Sequence, residues 1–168
     1  MKHLVCPGLP LSLHNDSGYR KVARELSRVG EILSSEGFTL SYHNHSIELQ
    51  KYNGITGLEI ILQESDPRCL QLELDTYWIQ HGGGDPVYWC RKFSHRLLLL
   101  HLKDMGMERD QQVMKEVGEG NLNWEGIFQS IRDSICEYMF VEQDICQRSP
   151  LESVRISLDY LRNWDFEF

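Results

Sequence analysis

Apolar residues gather in five short runs, and between the runs they recur at every third or fourth position. The runs are Lys2–Cys6, Phe38–Tyr42, Cys69–Leu74, Leu97–Leu102 and Tyr138–Val141. Each has the length of a strand. Cys69–Leu74 alternates leucine with polar residues. Leu97–Leu102 is almost unbroken leucine, as in a strand buried on both faces.

The stretches between the runs read as helices. Val22, Leu26, Val29 and Leu33 share one face, with Ser17 as N-cap and Gly37 placed for a left-handed C-terminal cap. Ile55–Gln63 is a short helix stopped by Asp66-Pro67. Asp85-Pro86 starts a helix carrying Val87, Trp89, Cys90 and Phe93. Asn123 caps one carrying Trp124, Ile127, Phe128 and Ile131. Ser149-Pro150-Leu151-Glu152 reads as a capping box ahead of Val154, Leu158 and Leu161. Met105 to Asn121, rich in glycine and charge, reads as a long loop.

Strands that alternate with helices pair in parallel, and their C-terminal ends share one rim. A closed barrel of this kind needs eight units and about 250 residues. The expected fold is therefore α/β: a partial (β/α)8 TIM barrel of about five parallel βα units, in one domain over residues 1–168.

Four of the runs end on side chains that bind metals or move protons. Side-chain parity sets Ser41, His43 and His45 on one face of their strand, Glu73 and Asp75 on one face of theirs, and likewise His101 with Lys103 and Glu142 with Asp144. His43, His45, Asp75, His101, Lys103 and Glu142 should converge on the rim. Carboxylates and imidazoles together suit a divalent metal: Mn, Mg, Co or Zn. Such an ion grips neighbouring oxygens of a sugar and acts as a Lewis acid. A carboxylate or imidazole beside it moves the proton next to the carbonyl. Lys103 is placed to steady the developing oxyanion. Asp75 and Glu142 also suit helix caps, and Asp104 and Asp144 read as supporting or loop residues. His81-Gly82-Gly83-Gly84 lacks an accompanying G-x-S-x-G and reads as a flexible turn.

Composition narrows the partners. The 168 residues include 25 acidic and 17 basic, a net charge of −8. Nucleic acid and anionic membrane both need a concentrated basic face, so neither is expected. The chain has no 18-residue apolar run, so no transmembrane helix is expected, and its first residues are too short and too soon interrupted for a signal peptide. Five cysteines, an odd number without C-x-x-C spacing, read as reduced thiols of a cytoplasmic protein.

Six short motifs occur in order along the chain. They are Tyr42-His43-Asn44-His45 followed by Glu48, Glu73-Leu74-Asp75-x-Tyr77-Trp78, Gly83-x-Asp85-Pro86, His101-x-Lys103-Asp104, Val117-Gly118-Glu119-Gly120 and Val141-Glu142-Gln143-Asp144. In these the chain resembles the sugar phosphate isomerase/epimerase family, the xylose isomerase-like TIM barrels. The resemblance implies a metal held by Asp75, His101 and Glu142, with His43 or Glu48 completing the set. It implies a small sugar or keto sugar as substrate, met by His45, Trp78 and Glu119, and proton transfer by Glu142 or His43 with Lys103. The activity implied is that of an isomerase or epimerase. With His43 where better-understood branches carry a glutamate, a lyase, dehydratase or keto-glycoside-cleaving activity gains ground. No phosphate-binding motif is present.

The five strands match the fourth to eighth of the family barrel, so the first three units are expected to be missing. Exposed strand edges would then recruit a second copy or a separate chain. The competing expectation is an inactive barrel fragment serving as a binding or assembly module.

Overall fold

A computed structural model describes residues 2–164; residue 1 and residues 165–168 of the expected domain lie outside the described residues. In chain order the elements are β1 (His3–Cys6), α1 (Asp16–Ser35), β2 (Thr39–His43), β3 (Lys51–Tyr52), β4 (Ile55–Thr56), α2 (Gly57–Glu64), β5 (Gln71–Asp75) and α3 (Thr76–His81). There follow α4 (Pro86–Lys92), β6 (Leu97–Leu102), β7 (Asp104–Glu108), β8 (Gln111–Lys115), α5 (Trp124–Ile131), β9 (Tyr138–Val141) and α6 (Pro150–Leu161). Among the described residues no helix is long and apolar enough to cross a membrane.

The five apolar runs form one parallel sheet in the order β1-β2-β5-β6-β9. The sheet is rolled into a half-barrel. Its outermost strands touch across the lumen, where His3 Nε2 lies 3.3 Å from Glu137 Oε2 and the His3 ring packs edge-on against Tyr138. Leu70, Leu72, Leu74, Leu100 and Leu102 join Ile60, Ile61, Trp89, Ile127 and Phe128 in one buried cluster. Each such side chain stabilises the fold by about 1.5–3 kcal/mol. The alternating leucines of β5 thus face the helices, and the polar set between them faces the lumen.

Local chemistry explains the helix ends. Thr56 caps α2 in a reciprocal capping box with Glu59, and Asp85 and Asn123 cap α4 and α5. Gly37, at φ +81°, closes α1 as expected, with Phe38 N–H donating to the Leu33 carbonyl. The N-cap of α1 is Asn15 rather than Ser17, whose hydroxyl instead donates to Asn15 Oδ1.

Three further expectations are corrected. First, Met105–Asn121 is not wholly loop, because β7 and β8 form an antiparallel ribbon. Its turn residues Arg109 and Asp110 both take left-handed φ, 47° and 63°, the geometry of a two-residue hairpin turn. Second, the turn at residues 81–84 does not run straight from strand to helix: α3 comes between, follows β5 directly because the Asp75 side chain caps it, and ends on His81. Third, Ser149 makes no side-chain cap, and α6 turns serines inward. Ser153 Oγ donates to Glu116 Oε1 at 2.7 Å and Ser157 Oγ accepts from Val117 N–H, while Val154 and Leu158 stay 50% and 44% exposed.

Candidate active site

Strand register brings the rim residues together. His43 stands opposite Glu73, and Asp75 opposite His101. Opposite residues of paired strands share a face, so all four side chains enter the lumen. His43 Nε2 and His101 Nδ1 each lie 3.9 Å from Asp75 Oδ2. The two imidazole rings are 4.6 Å apart, centroid to centroid. His101 Nδ1 is also 2.8 Å from Glu142 Oε2. Lys103, 1% exposed, sets its ammonium 3.1 Å from Asp75 Oδ2 and 2.9 Å from both Glu142 Oε2 and Asp144 Oδ2.

The other residues singled out in the sequence fall into two groups. His45 and Trp78 border the cluster: the His45 ring packs on His43 and Trp78, and Trp78 lies 5.6 Å from the Lys103 ammonium. Glu48 and Glu119 stand apart. Glu48 is buried, and its carboxylate accepts from Tyr42 OH at 2.7 Å and from His45 N–H at 2.9 Å. It braces the loop that carries His45 and leaves His43 as the β2 member of the cluster. Glu119 is exposed and pairs with Arg148 at 3.2 Å. The loop that carries it wraps a different carboxylate: Asp104 accepts from the N–H groups of Gly118, Gly120 and Leu122 and from Trp124 Nε1.

Glu73 went unassigned from sequence. Its Oε1 lies between the two histidines, 3.0 Å from His43 Nδ1 and 3.2 Å from His101 Nε2. The signal was its place two residues before Asp75, on the same strand face. Asn44 Oδ1 accepts from Asp75 N–H, and Asp75 Oδ1 accepts from Trp78 N–H, so the Asp75 carboxylate is fixed from both ends.

Charge follows this geometry. Burial lowers the Lys103 ammonium's affinity for its proton, but Asp75, Asp144 and Glu142 outweigh that and raise it. Burial also pulls His101 down, and Glu73 and Glu142 lift it above the ordinary histidine value. Glu73 is held at about 2, because the two histidines overcome its burial. Glu142 stays below its ordinary value, because Lys103 and His101 overcome burial there. Burial and the neighbouring His43 lower His45 below the ordinary histidine value, which favours its neutral form.

Ligand atoms of His43, Asp75 and His101 lie within 4.8 Å of one another. Asp75 Oδ2 is buried without an aligned hydrogen bond; His43 Nδ1, on the far side of its ring, is buried 3.0 Å from Glu73 Oε1 without alignment. Two imidazoles and a carboxylate, with such an under-partnered oxygen between them, suit a divalent ion of the zinc, cobalt or manganese kind.

Known proteins share this architecture. The family model of the xylose isomerase-like TIM barrel matches residues 1–164. An inosose dehydratase of Mesomycoplasma hyopneumoniae (strain 7448) is 27% identical over 167 residues, covering 86% of this chain and 54% of that protein. The chain thus spans about half the length of the curated relatives it matches. A sugar phosphate isomerase/epimerase from Parabacteroides distasonis is 30% identical, with a TM-score of 0.79 over 96% of this chain and 57% of its own. The zinc-bound structure of the IolI protein shares the fold, at a TM-score of 0.68 and 12% identity, over 96% of this chain and 62% of its own. The chain belongs to the xylose isomerase-like TIM barrel family.

Proposed function

We propose that this chain carries the rim of a divalent-metal-dependent enzyme that removes a proton next to the carbonyl of a sugar or keto sugar. His43, Asp75 and His101 hold the ion in this reading. When bound there, the ion would supply Lewis acidity toward the substrate's carbonyl. Glu142, an ionised carboxylate with a 43% exposed side chain, takes the proton from the carbon. The Lys103 ammonium stabilises the oxygen on which charge develops. His45 hydrogen-bonds a substrate hydroxyl, and the Trp78 ring lies against the C–H face of the sugar.

Elimination of water is the favoured outcome. Glu142 takes the proton from the carbon beside the carbonyl and returns it to the hydroxyl on the next carbon, which departs as water and leaves an enone. Two features support this over epimerisation. The inosose dehydratase relatives are similar along most of this chain. The β2 member of the cluster is an imidazole, so a two-carboxylate proton exchange has only Glu142 on the substrate side.

The observation that carries the reading is the meeting of His43, Asp75, His101, Lys103 and Glu142 from four strand ends. The test supplies the protein with Mn²⁺ and an inosose in D₂O. A product lighter than the inosose by one water supports dehydration, and deuterium entry beside the carbonyl without that loss points to an isomerase or epimerase. Neither reaction, and no stoichiometric metal, leaves the second reading: an uncatalytic assembly module, favoured by the unpaired edges of β1 and β9.

A further inference from the structure

We propose that Glu73 is a positioning residue that ties His43 and His101 into one unit, turning Nε2 of the first and Nδ1 of the second toward Asp75 Oδ2. The inference rests on the metal-site reading above and concerns a residue that reading does not use.

A single carboxylate oxygen contacts both rings: Glu73 Oε1 is 3.0 Å from His43 Nδ1 and 3.2 Å from His101 Nε2. The opposite nitrogen of each ring then lies 3.9 Å from Asp75 Oδ2. A carboxylate against the inner nitrogens favours protons there; the outer nitrogen of His43 then keeps its lone pair, and that of His101 does so once an ion takes the place of its 2.8 Å contact with Glu142. Metal-binding histidines commonly donate their second N–H to a carboxylate in this way. Here one carboxylate serves two rings.

The strand geometry places Glu73 for this task. It lies one step below Asp75 on the lumen face, with His43 directly beside it on β2. On its other side the β5–β6 register shifts between Leu72 and Glu73, so that Glu73 pairs with Leu99 and Asp75 with His101. Such irregularities re-aim side chains. Glu73 is only 5% exposed, and its ion-pair partners among the described residues are the two imidazoles. A carboxylate so buried is tolerated only where charge-assisted partners compensate its lost hydration.

The test compares wild type with Glu73→Gln, whose amide oxygen accepts from one ring and whose NH₂ opposes the other. Chelator competition with Zn²⁺ should show affinity falling about 10- to 100-fold. Glu59→Gln, which breaks a carboxylate pair with Lys92 outside the cluster, should leave affinity unchanged. Long-range ¹H–¹⁵N spectra of the wild type, with or without zinc, should show His43 protonated on Nδ1; with zinc, His101 should be protonated on Nε2. Affinity within about twofold of wild type in Glu73→Gln, an equal loss in Glu59→Gln, or a His43 proton on Nε2 overturns the inference. A wild type that takes up no zinc defeats the metal reading instead, and the His43 tautomer then still reports on Glu73.

Discussion

The Lys103 ammonium and the Asp75 carboxylate meet 3.1 Å apart, each with at most 1% of its side chain exposed. Glu142 and Asp144 complete a ring of acids around the same nitrogen. In the absence of metal, Lys103 is the cation that keeps these acids together. Lys103→Met should therefore destabilise the metal-free protein by about 3–5 kcal/mol, the usual result of stranding buried charge. Saturating Mn²⁺ should restore much of that loss, because binding to the folded state alone raises stability. Urea unfolding with and without Mn²⁺ measures both effects, and an unchanged midpoint without metal would contradict the role given to Lys103.

Acid should weaken the fold in a defined window. Glu73 has a folded-state value of about 2 against an ordinary 4.5: burial raises it, and the two histidines lower it further than burial raises it. Glu59 is shifted in the same direction: burial raises it, and hydrogen bonds from Lys92 and Thr56 more than reverse that. A carboxyl lowered on folding contributes stability above its unfolded value and loses it as pH falls toward its folded one. The thermal midpoint should therefore fall between about pH 5 and about pH 3, and a flat profile there would refute the shifts. Glu59→Gln should remove part of the slope.

Asp104 anchors the loop after β8 through three backbone N–H groups and the Trp124 indole. Asp104→Asn puts an NH₂ against some of those donors. The expected loss is about 2–4 kcal/mol, since buried donors left unpaired cost more than the bonds themselves contributed. Hydrogen exchange should quicken at Gly118, Gly120 and Leu122, and unchanged protection there would contradict the assignment.

How far this was legible in sequence depends on the range of each signal. The strand at Leu97–Leu102 lies where the apolar run put it, because continuous burial of leucines is a local pattern, and Tyr138–Val141 is a strand as its aromatic and β-branched residues favour, although Tyr138 and Phe140 stay exposed. Parity on β5 also sent Glu73 and Asp75 into the lumen. The β7–β8 ribbon was hidden because Arg109-Asp110 fills a turn that normally advertises itself with glycine or asparagine. The inward face of α6 was misread because Ser153 and Ser157 dock by hydrogen bonds to Glu116 and Val117, which apolar periodicity does not register. Glu48 looked like a ligand because its partner, Tyr42 OH, meets it only once the chain is folded.

The strands β1 and β9 each pair on one side only. Near them Tyr138, Phe140, Leu151, Val154 and Leu158 are between 43% and 83% exposed. Unpaired edges beside apolar surface recruit partners. Light scattering of the purified 168-residue chain should give a mass above one copy. A well-folded monomer at all concentrations would contradict this.

A cation-sized gap lies between His43 Nε2, Asp75 Oδ2 and His101 Nδ1, each nitrogen 3.9 Å from the oxygen. Crystals grown with Zn²⁺ and measured on both sides of the zinc absorption edge test it most directly. The expected result is one anomalous peak within about 2–2.3 Å of those three atoms, absent in Asp75→Ala. Zinc bound elsewhere, or none bound at millimolar supply, would contradict it.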